Sequence, residues 1–66
     1  MIYKIVHFSE AEFPESSVIQ IQDELNIGDA VYINNEHSLT IEYFIESGNS
    51  LTILDGEKIL KLRLDS

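Results

Sequence analysis

Much of the chain alternates between apolar and polar residues with a period of two, which is the pattern of half-buried β-strands. The clearest examples are residues 39–46 (LTIEYFIE), 50–54 (SLTIL) and 57–64 (EKILKLRL). Ser47-Gly48-Asn49 separates the first two, and Asp55-Gly56, a preferred pair in two-residue hairpin turns, separates the last two. The pattern predicts a three-stranded antiparallel meander over residues 39–64.

The same alternation predicts which side chains of the meander face the core. The first strand has an inward set and an outward set, namely Leu39, Ile41, Tyr43 and Ile45 against Thr40, Glu42, Phe44 and Glu46. In the other two strands, the residues predicted to point inward are Leu51, Ile53, Leu60, Leu62 and Leu64. Ile59, Lys61 and Arg63 are then left on the outside.

The first predicted strand, residues 2–8 (IYKIVHF), is apolar on both faces, which is typical of a strand in the centre of a sheet. Its two faces would hold Ile2, Lys4, Val6 and Phe8 on one side, and Tyr3, Ile5 and His7 on the other.

Two further short strands are predicted before the meander. Residues 18–22 (VIQIQ) would point Ile19 and Ile21 inward, and residues 30–34 (AVYIN) would point Val31 and Ile33 inward and Tyr32 outward. One helical turn is possible near residues 23–27. A short helix over residues 16–25 is an alternative that the β-branched residues of the segment disfavour.

About five to six short strands with frequent turns predict an all-β fold, a small antiparallel barrel or sandwich. A chain of 66 residues has room for a single domain, residues 1–66. The phrase LNIGDAVYI, residues 25–33, is similar to the Gly-Asp turn and following strand of SH3-like barrels. Because open sheet edges favour aggregation, closure of the sheet or a homodimer is expected.

Residues 18–43 (VIQIQDELNIGDAVYINNEHSLTIEY) resemble the swapped-hairpin domains of antitoxins and transition-state regulators. Those domains carry an Ile-Pro pair, a longer helix, and then Gly-Asp with two strands. Here the proline is missing, the helix would be too short, and the DNA-contacting surface would be acidic instead of basic. An antitoxin-type DNA-binding regulator is therefore a weaker alternative, and no family is assigned.

The charge of the chain is large and unevenly distributed. The net charge is −8, and residues 5–57 contain 11 carboxylates with no Lys or Arg, whereas Lys58, Lys61 and Arg63 follow close together. A field of this sign repels nucleic acid and anionic membranes and attracts basic partners. We therefore expect no direct binding to nucleic acid and no membrane binding. Acidity that serves only solubility is the alternative explanation.

The residues that could carry chemistry form no catalytic, cofactor or metal motif. The only imidazoles, His7 and His37, belong to no nucleophile motif, and no Gly-rich phosphate loop is present. The chain has no Cys, and the acids of residues 9–17 do not follow the spacing of an EF-hand. No signal peptide or spanning segment is evident. We expect a cytoplasmic protein that is not an enzyme and uses no cofactor.

Aromatic residues lie among carboxylates at two places. The acidic loop, residues 9–17 (SEAEFPESS), holds Phe13 among Glu10, Glu12 and Glu15. In the predicted strand 39–46, Phe44 lies between Glu42 and Glu46, at a spacing of roughly 7 Å, near that of phosphates along a nucleic-acid strand. Aromatic anchors surrounded by charge are typical of protein interfaces, although both Phe residues could instead complete the core.

The leading interpretation is a non-enzymatic module that docks on a basic protein surface. Its target would be a nucleic-acid-handling protein, and its role that of an inhibitor or regulator. It has the general character of phage-encoded inhibitors and nucleic-acid mimics. The alternative is a self-associating structural subunit, in which the basic strand 58–63 of one copy meets the acidic body of another.

Overall fold

The computed structural model describes residues 1–65 and confirms an all-β fold, with seven strands in two antiparallel sheets. The strands are β1 (Ile2–Phe8), β2 (Val18–Gln20), β3 (Ala30–Tyr32), β4 (Ser38–Thr40), β5 (Tyr43–Ser47), β6 (Ser50–Asp55) and β7 (Lys58–Leu64). Five of them form one sheet in the order β2-β1-β7-β6-β5, and β3 pairs with β4 in a small second sheet. The arrangement is that of a small sandwich.

The meander β5-β6-β7 is formed, and its two turns, Gly48-Asn49 and Gly56-Glu57, each begin at a glycine of a predicted turn. Gly48 and Gly56 are each the first central residue of a two-residue hairpin turn, and both have φ of 59°. A residue with a side chain rarely adopts this backbone conformation, so glycine is required at both turns. The predicted inward residues of β6 and β7 are buried or half-buried, with Ile53 and Leu60 fully buried.

Strand β1 lies between β2 and β7, so its predicted inner place in the sheet is confirmed. Its predicted faces are correct for residues 2–5 but wrong for His7 and Phe8, which exchange sides. The pairing with β7 shifts by one residue between Ile5 and His7, which leaves Val6 as the extra residue of a bulge. The core-facing residues are therefore Tyr3, Ile5 and Phe8, which lie opposite the inward leucines of β7. Val6 is 57% exposed.

The predicted strand 39–46 is broken into β4 and β5. At Ile41 the chain leaves the small sheet, where Ile41 exchanges hydrogen bonds with Gly28 and Asp29, and the amide N of Glu42 donates to Leu54 O in the large sheet. The break moves the alternation by one residue, and a shift of one residue turns every side chain to the opposite face. Phe44 therefore points inward opposite Ile53, while Tyr43 and Ile45 are about half exposed.

The connection between β2 and β3 contains no helix, so the possible helical turn near residues 23–27 and the helix over 16–25 are not formed. The Asp29 carboxylate accepts hydrogen bonds from the amide N of Asn26 and from Nε2 of Gln22, at 3.0 and 2.6 Å. These bonds close the segment into a turn that positions the start of β3.

The core lies between the two sheets and is entirely apolar. The large sheet and the chain just after β2 supply most of it, and the small sheet adds Val31 and Leu39, so β3 and β4 cover the inner face of the large sheet. No polar or charged residue among residues 1–65 is buried. Across those residues there is also no helix with the length and apolarity needed to span a membrane.

Candidate functional site

The acidic loop joins β1 to β2 and is fastened at both ends by hydrogen bonds. The amide N of Ser9 donates to Ile59 O, and the Ser9 hydroxyl accepts from the amide N of Ile59 at 2.9 Å. At the other end, the amide N of Ile5 donates to Ser17 O, and the amide N of Ser17 donates to Pro14 O. Pro14 therefore belongs to a hydrogen-bonded turn, and the loop has a defined path between two neighbouring strands.

Phe13 points from the middle of this loop toward the core and is half-buried. Its ring centroid lies 6.2 Å from that of Phe8 and 6.0 Å from that of His37, and the Phe8 and His37 rings meet edge to face at 5.6 Å. Such aromatic contacts add stability beyond the buried area. Phe13 is therefore a lid that ties the loop to β1 and to the β3–β4 turn, and it completes the core on this side.

The three glutamates of the loop remain in solvent, and none of them forms an ion pair with a Lys or Arg side chain within residues 1–65. Glu10, Glu12 and Glu15 are exposed. Within residues 1–65 the only ion pair joins the N-terminal ammonium to Asp23 at 3.5 Å, so no Lys or Arg lies within 4 Å of these carboxylates. The loop thus holds three unneutralised negative charges on a backbone that Phe13, Ser9 and Ser17 fix in place.

The second predicted group, Glu42, Phe44 and Glu46, lies at the opposite edge of the large sheet. Strand β5 is separated from β1 by β7 and β6, a distance of roughly 14 Å at the usual strand spacing. The two acidic groups therefore do not form one site. Because Glu42 precedes β5 and Phe44 packs on the core, the regular outward row Glu42–Phe44–Glu46 is not formed.

The structure also reveals a surface that the sequence analysis did not identify, which we call the outer face. It is the side of the large sheet that points away from the core, as given by the pairing registers and burial of the five strands. Its residues are Ile2, Lys4, His7, Val18, Gln20, Tyr43, Ile45, Ser47, Ser50, Thr52, Leu54, Ile59, Lys61 and Arg63.

The outer face combines cations with aliphatic and aromatic side chains. It holds three of the four Lys and Arg residues of the chain and none of the 12 Asp and Glu residues. Lys4 and Arg63 are directly paired across β1 and β7. Carboxylates occur only at its rim, where Glu15 shares a shallow groove with Lys4 and Arg63, and where Asp65 follows β7.

Part of the outer face could have been found from the alternation, which already placed Ile59, Lys61 and Arg63 outside. The remainder depends on the pairing of β1 with β7, which brings Lys4 beside Arg63 although 59 positions separate them. It depends also on the bulge at Val6 and the break at Ile41, each of which shifts the alternation by one residue. No local sequence pattern predicts either shift. The contact between Phe13 and His37 has no signal in the sequence either.

Within residues 1–65, no group of three or more metal-ligating side chains is placed to hold a metal ion. No protein-family model, no curated protein and no solved structure matches this chain.

Proposed function

We propose that this protein is a non-enzymatic binding module that docks its acidic loop on the basic surface of a nucleic-acid-handling protein and thereby inhibits or regulates it. The observation that carries the proposal is the fixed loop with three exposed glutamates. Glu10, Glu12 and Glu15 have no basic partner within residues 1–65, and the loop that bears them is fastened by Ser9, Phe13 and Ser17.

Fixing the loop matters because an ordered surface loses less conformational entropy when it binds. The ring of Phe13 holds the loop backbone, while the carboxylates on either side of it stay in water. Phe13 is then a positioning residue for the loop, and the partner contacts come from the glutamates.

The charges of the loop favour a basic partner in a second way. Three like charges on one short loop repel one another, and a basic surface relieves this repulsion while it steers the approach of the two proteins. Exposed charges of this kind mainly raise the association rate constant, and salt screens the effect. Glu42 and Glu46 lie too far away to share this contact, so at the opposite edge they contribute only to the long-range field.

Charge supports a protein partner over the antitoxin-type alternative. A DNA-binding surface would have to be built from the outer face, whose three cations belong to a chain of net charge −8. Phosphate contacts supply most of the affinity of nucleic-acid binding, and a strongly acidic protein opposes them.

The test compares two variants of equal net charge in a salt-eluted pull-down. The loop variant carries Glu10→Gln, Glu12→Gln and Glu15→Gln, and the control carries Glu24→Gln, Glu36→Gln and Glu57→Gln, so both change the net charge from −8 to −5. All six side chains are exposed, so both variants should fold. The lysate is bacterial, and captured proteins are identified by mass spectrometry.

We expect one dominant basic protein to be retained by the wild type and by the control, to be released by salt, and to be lost with the loop variant. Equal loss from both variants would mean that only the total charge matters. Equal retention by all three would show that the loop is not the docking site.

A further inference from the structure

We propose that the outer face binds the acidic surface of a second copy of this chain, so that copies associate head to tail. The acidic surface is the exposed side of residues 21–42, which include the small sheet β3–β4 and its flanking turns. This contact uses none of the three loop glutamates, so it stands independently of the proposed function.

The outer face is unusual because it is positively charged, whereas the chain as a whole has a net charge of −8. Four of the eight large hydrophobic residues that are exposed lie on it, namely Ile2, Val18, Tyr43 and Ile45. Lys4, Lys61 and Arg63 lie among them, and no Asp or Glu does. A sheet face that is both apolar and basic suits a partner surface that is both apolar and acidic.

A symmetric contact between two outer faces is disfavoured by charge. In a two-fold dimer the same patch meets itself, so the three cations of one copy would face the three cations of the other. Like charges placed against each other in an interface oppose binding. A self-contact through this face must therefore be heterologous.

The acidic surface provides the complement within the same chain. Residues 21–42 carry five carboxylates and no Lys or Arg, and four of the carboxylates, those of Asp23, Glu24, Glu36 and Glu42, are exposed. The surface also holds the two most exposed large hydrophobic residues, Ile27 at 66% and Tyr32 at 73%. Residues 21–42 thus combine exposed apolar side chains with charges opposite in sign to those of the outer face.

The two surfaces are available at the same time. The small sheet covers the inner side of the large sheet, and the core lies between them, so the exposed side of β3–β4 and the outer face point in opposite directions. A heterologous contact that leaves the second surface of each copy free can repeat, giving a ring or an open chain.

The size of the outer face predicts a weak, reversible contact. Five strands of three to seven residues, at the usual spacing and rise, outline a flat patch of roughly 20 Å by 18 Å, which is small for one side of a standard stable interface. Self-association should therefore depend on protein concentration. Because opposite charges drive it, added salt should weaken it.

Sedimentation velocity of the wild type over a wide range of concentration, at low and at high salt, tests this directly. We expect the average mass to rise with concentration at low salt and to stay near that of the monomer at high salt. A monomer at every concentration in low salt would overturn the proposal.

Two variants then test the head-to-tail geometry. The face variant carries Lys4→Gln, Lys61→Gln and Arg63→Gln, and the acid variant carries Glu24→Gln, Glu36→Gln and Glu42→Gln. Each should remain monomeric alone, because each lacks one half of the contact. A 1:1 mixture should form a complex of two chains and stop there, because one intact outer face and one intact acidic surface remain.

The loop variant with Glu10→Gln, Glu12→Gln and Glu15→Gln is the matched control, since it has the same net charge as the acid variant. It should self-associate as the wild type does, even if the loop proves to bind no partner. A mixture that stays monomeric, or an acid variant that associates like the wild type, would contradict the head-to-tail contact. Loss of self-association in the loop variant alone would place the acidic partner surface in the loop and would overturn the proposal as stated.

Discussion

All four Lys and Arg residues lie in strands, in β1 and β7, whereas of the 12 Asp and Glu residues only Glu46 and Asp55 do. The other ten carboxylates lie in connections or beyond the last strand. Three of the cations share the outer face with aliphatic side chains, and their long stems can lie over apolar neighbours while the charge stays in water. Asp and Glu are disfavoured in strands, and in turns they hydrogen-bond the backbone, as Asp29 does.

The difference teaches that total charge is a poor description of this protein. A net charge of −8 suggests a uniformly acidic surface, yet no Asp or Glu side chain lies on the outer face of the large sheet. The acidic loop and the outer face are neighbours along one groove, with Glu15 on one side and Lys4 and Arg63 on the other. Surfaces of opposite charge therefore lie side by side on this small protein.

The largest expected effect tests which side of the large sheet faces the core and which side is the outer face. Ile53→Ala should destabilise the fold by about 4 kcal/mol, because the side chain is fully buried and its removal leaves a cavity. Ile45→Ala, one strand away on the outer face, should cost less than about 1 kcal/mol. Urea unfolding followed by circular dichroism measures both. Equal costs would mean that β5 and β6 are oriented differently from the structure.

A smaller effect tests how the acidic loop is held. Phe13→Ala should cost about 2 kcal/mol, because the contacts to Phe8 and His37 are lost, and this is less than for a fully buried Phe because the ring is only partly buried. Phe13→Leu, which keeps much of the apolar contact, is the control and should cost clearly less. Hydrogen exchange of the Ser17 amide, which donates to Pro14, should accelerate in the alanine variant. A free energy of unfolding unchanged in both variants would show that the loop is not anchored through this ring.

The smallest expected effect distinguishes removal of a negative charge from removal of a positive charge. Glu12→Gln and Lys61→Gln should change the free energy of unfolding by no more than about 0.5 kcal/mol, but with opposite signs. The first removes a charge that repels the other carboxylates and should stabilise, whereas the second removes a charge that they attract and should destabilise. Urea unfolding at low salt measures the difference, and high salt should abolish it. Changes of the same sign would indicate that these residues act through local packing.

The sequence predicts the inward side of a strand correctly where every second residue is clearly polar. In β7 the leucines at 60, 62 and 64 alternate with Lys61 and Arg63, and in β6 Leu51 and Ile53 alternate with Ser and Thr, so the inward side is unambiguous. The glycines at the hairpin turns define the ends of these strands. Local residues suffice for this part of the structure.

The faces of β1 and β5 could not be predicted, because both phases of these strands carry large apolar residues. Ile2 and Tyr43 look like core residues in the sequence but lie on the outer face. The bulge at Val6 and the break at Ile41 then change the phase within each run. The same apolar residues that misled the prediction supply the exposed apolar area of the outer face.

For the candidate site, the sequence located the loop glutamates but not the role of Phe13 or the separation of the second acidic group. Phe13 contacts His37, 24 positions away, and β5 lies at the far edge from the loop. Contacts and distances of this kind depend on strand order, which alternation does not encode.

We propose that the positions of the charges, and not their sum, decide what this protein binds. The most direct test is the association rate constant with the basic protein recovered in the pull-down, measured for the wild type and for the two variants of net charge −5. We predict that the loop variant associates about tenfold more slowly, while the Glu24, Glu36 and Glu57 control stays within about twofold of the wild type. Equal slowing of both variants would contradict the claim and would leave total charge as the whole explanation.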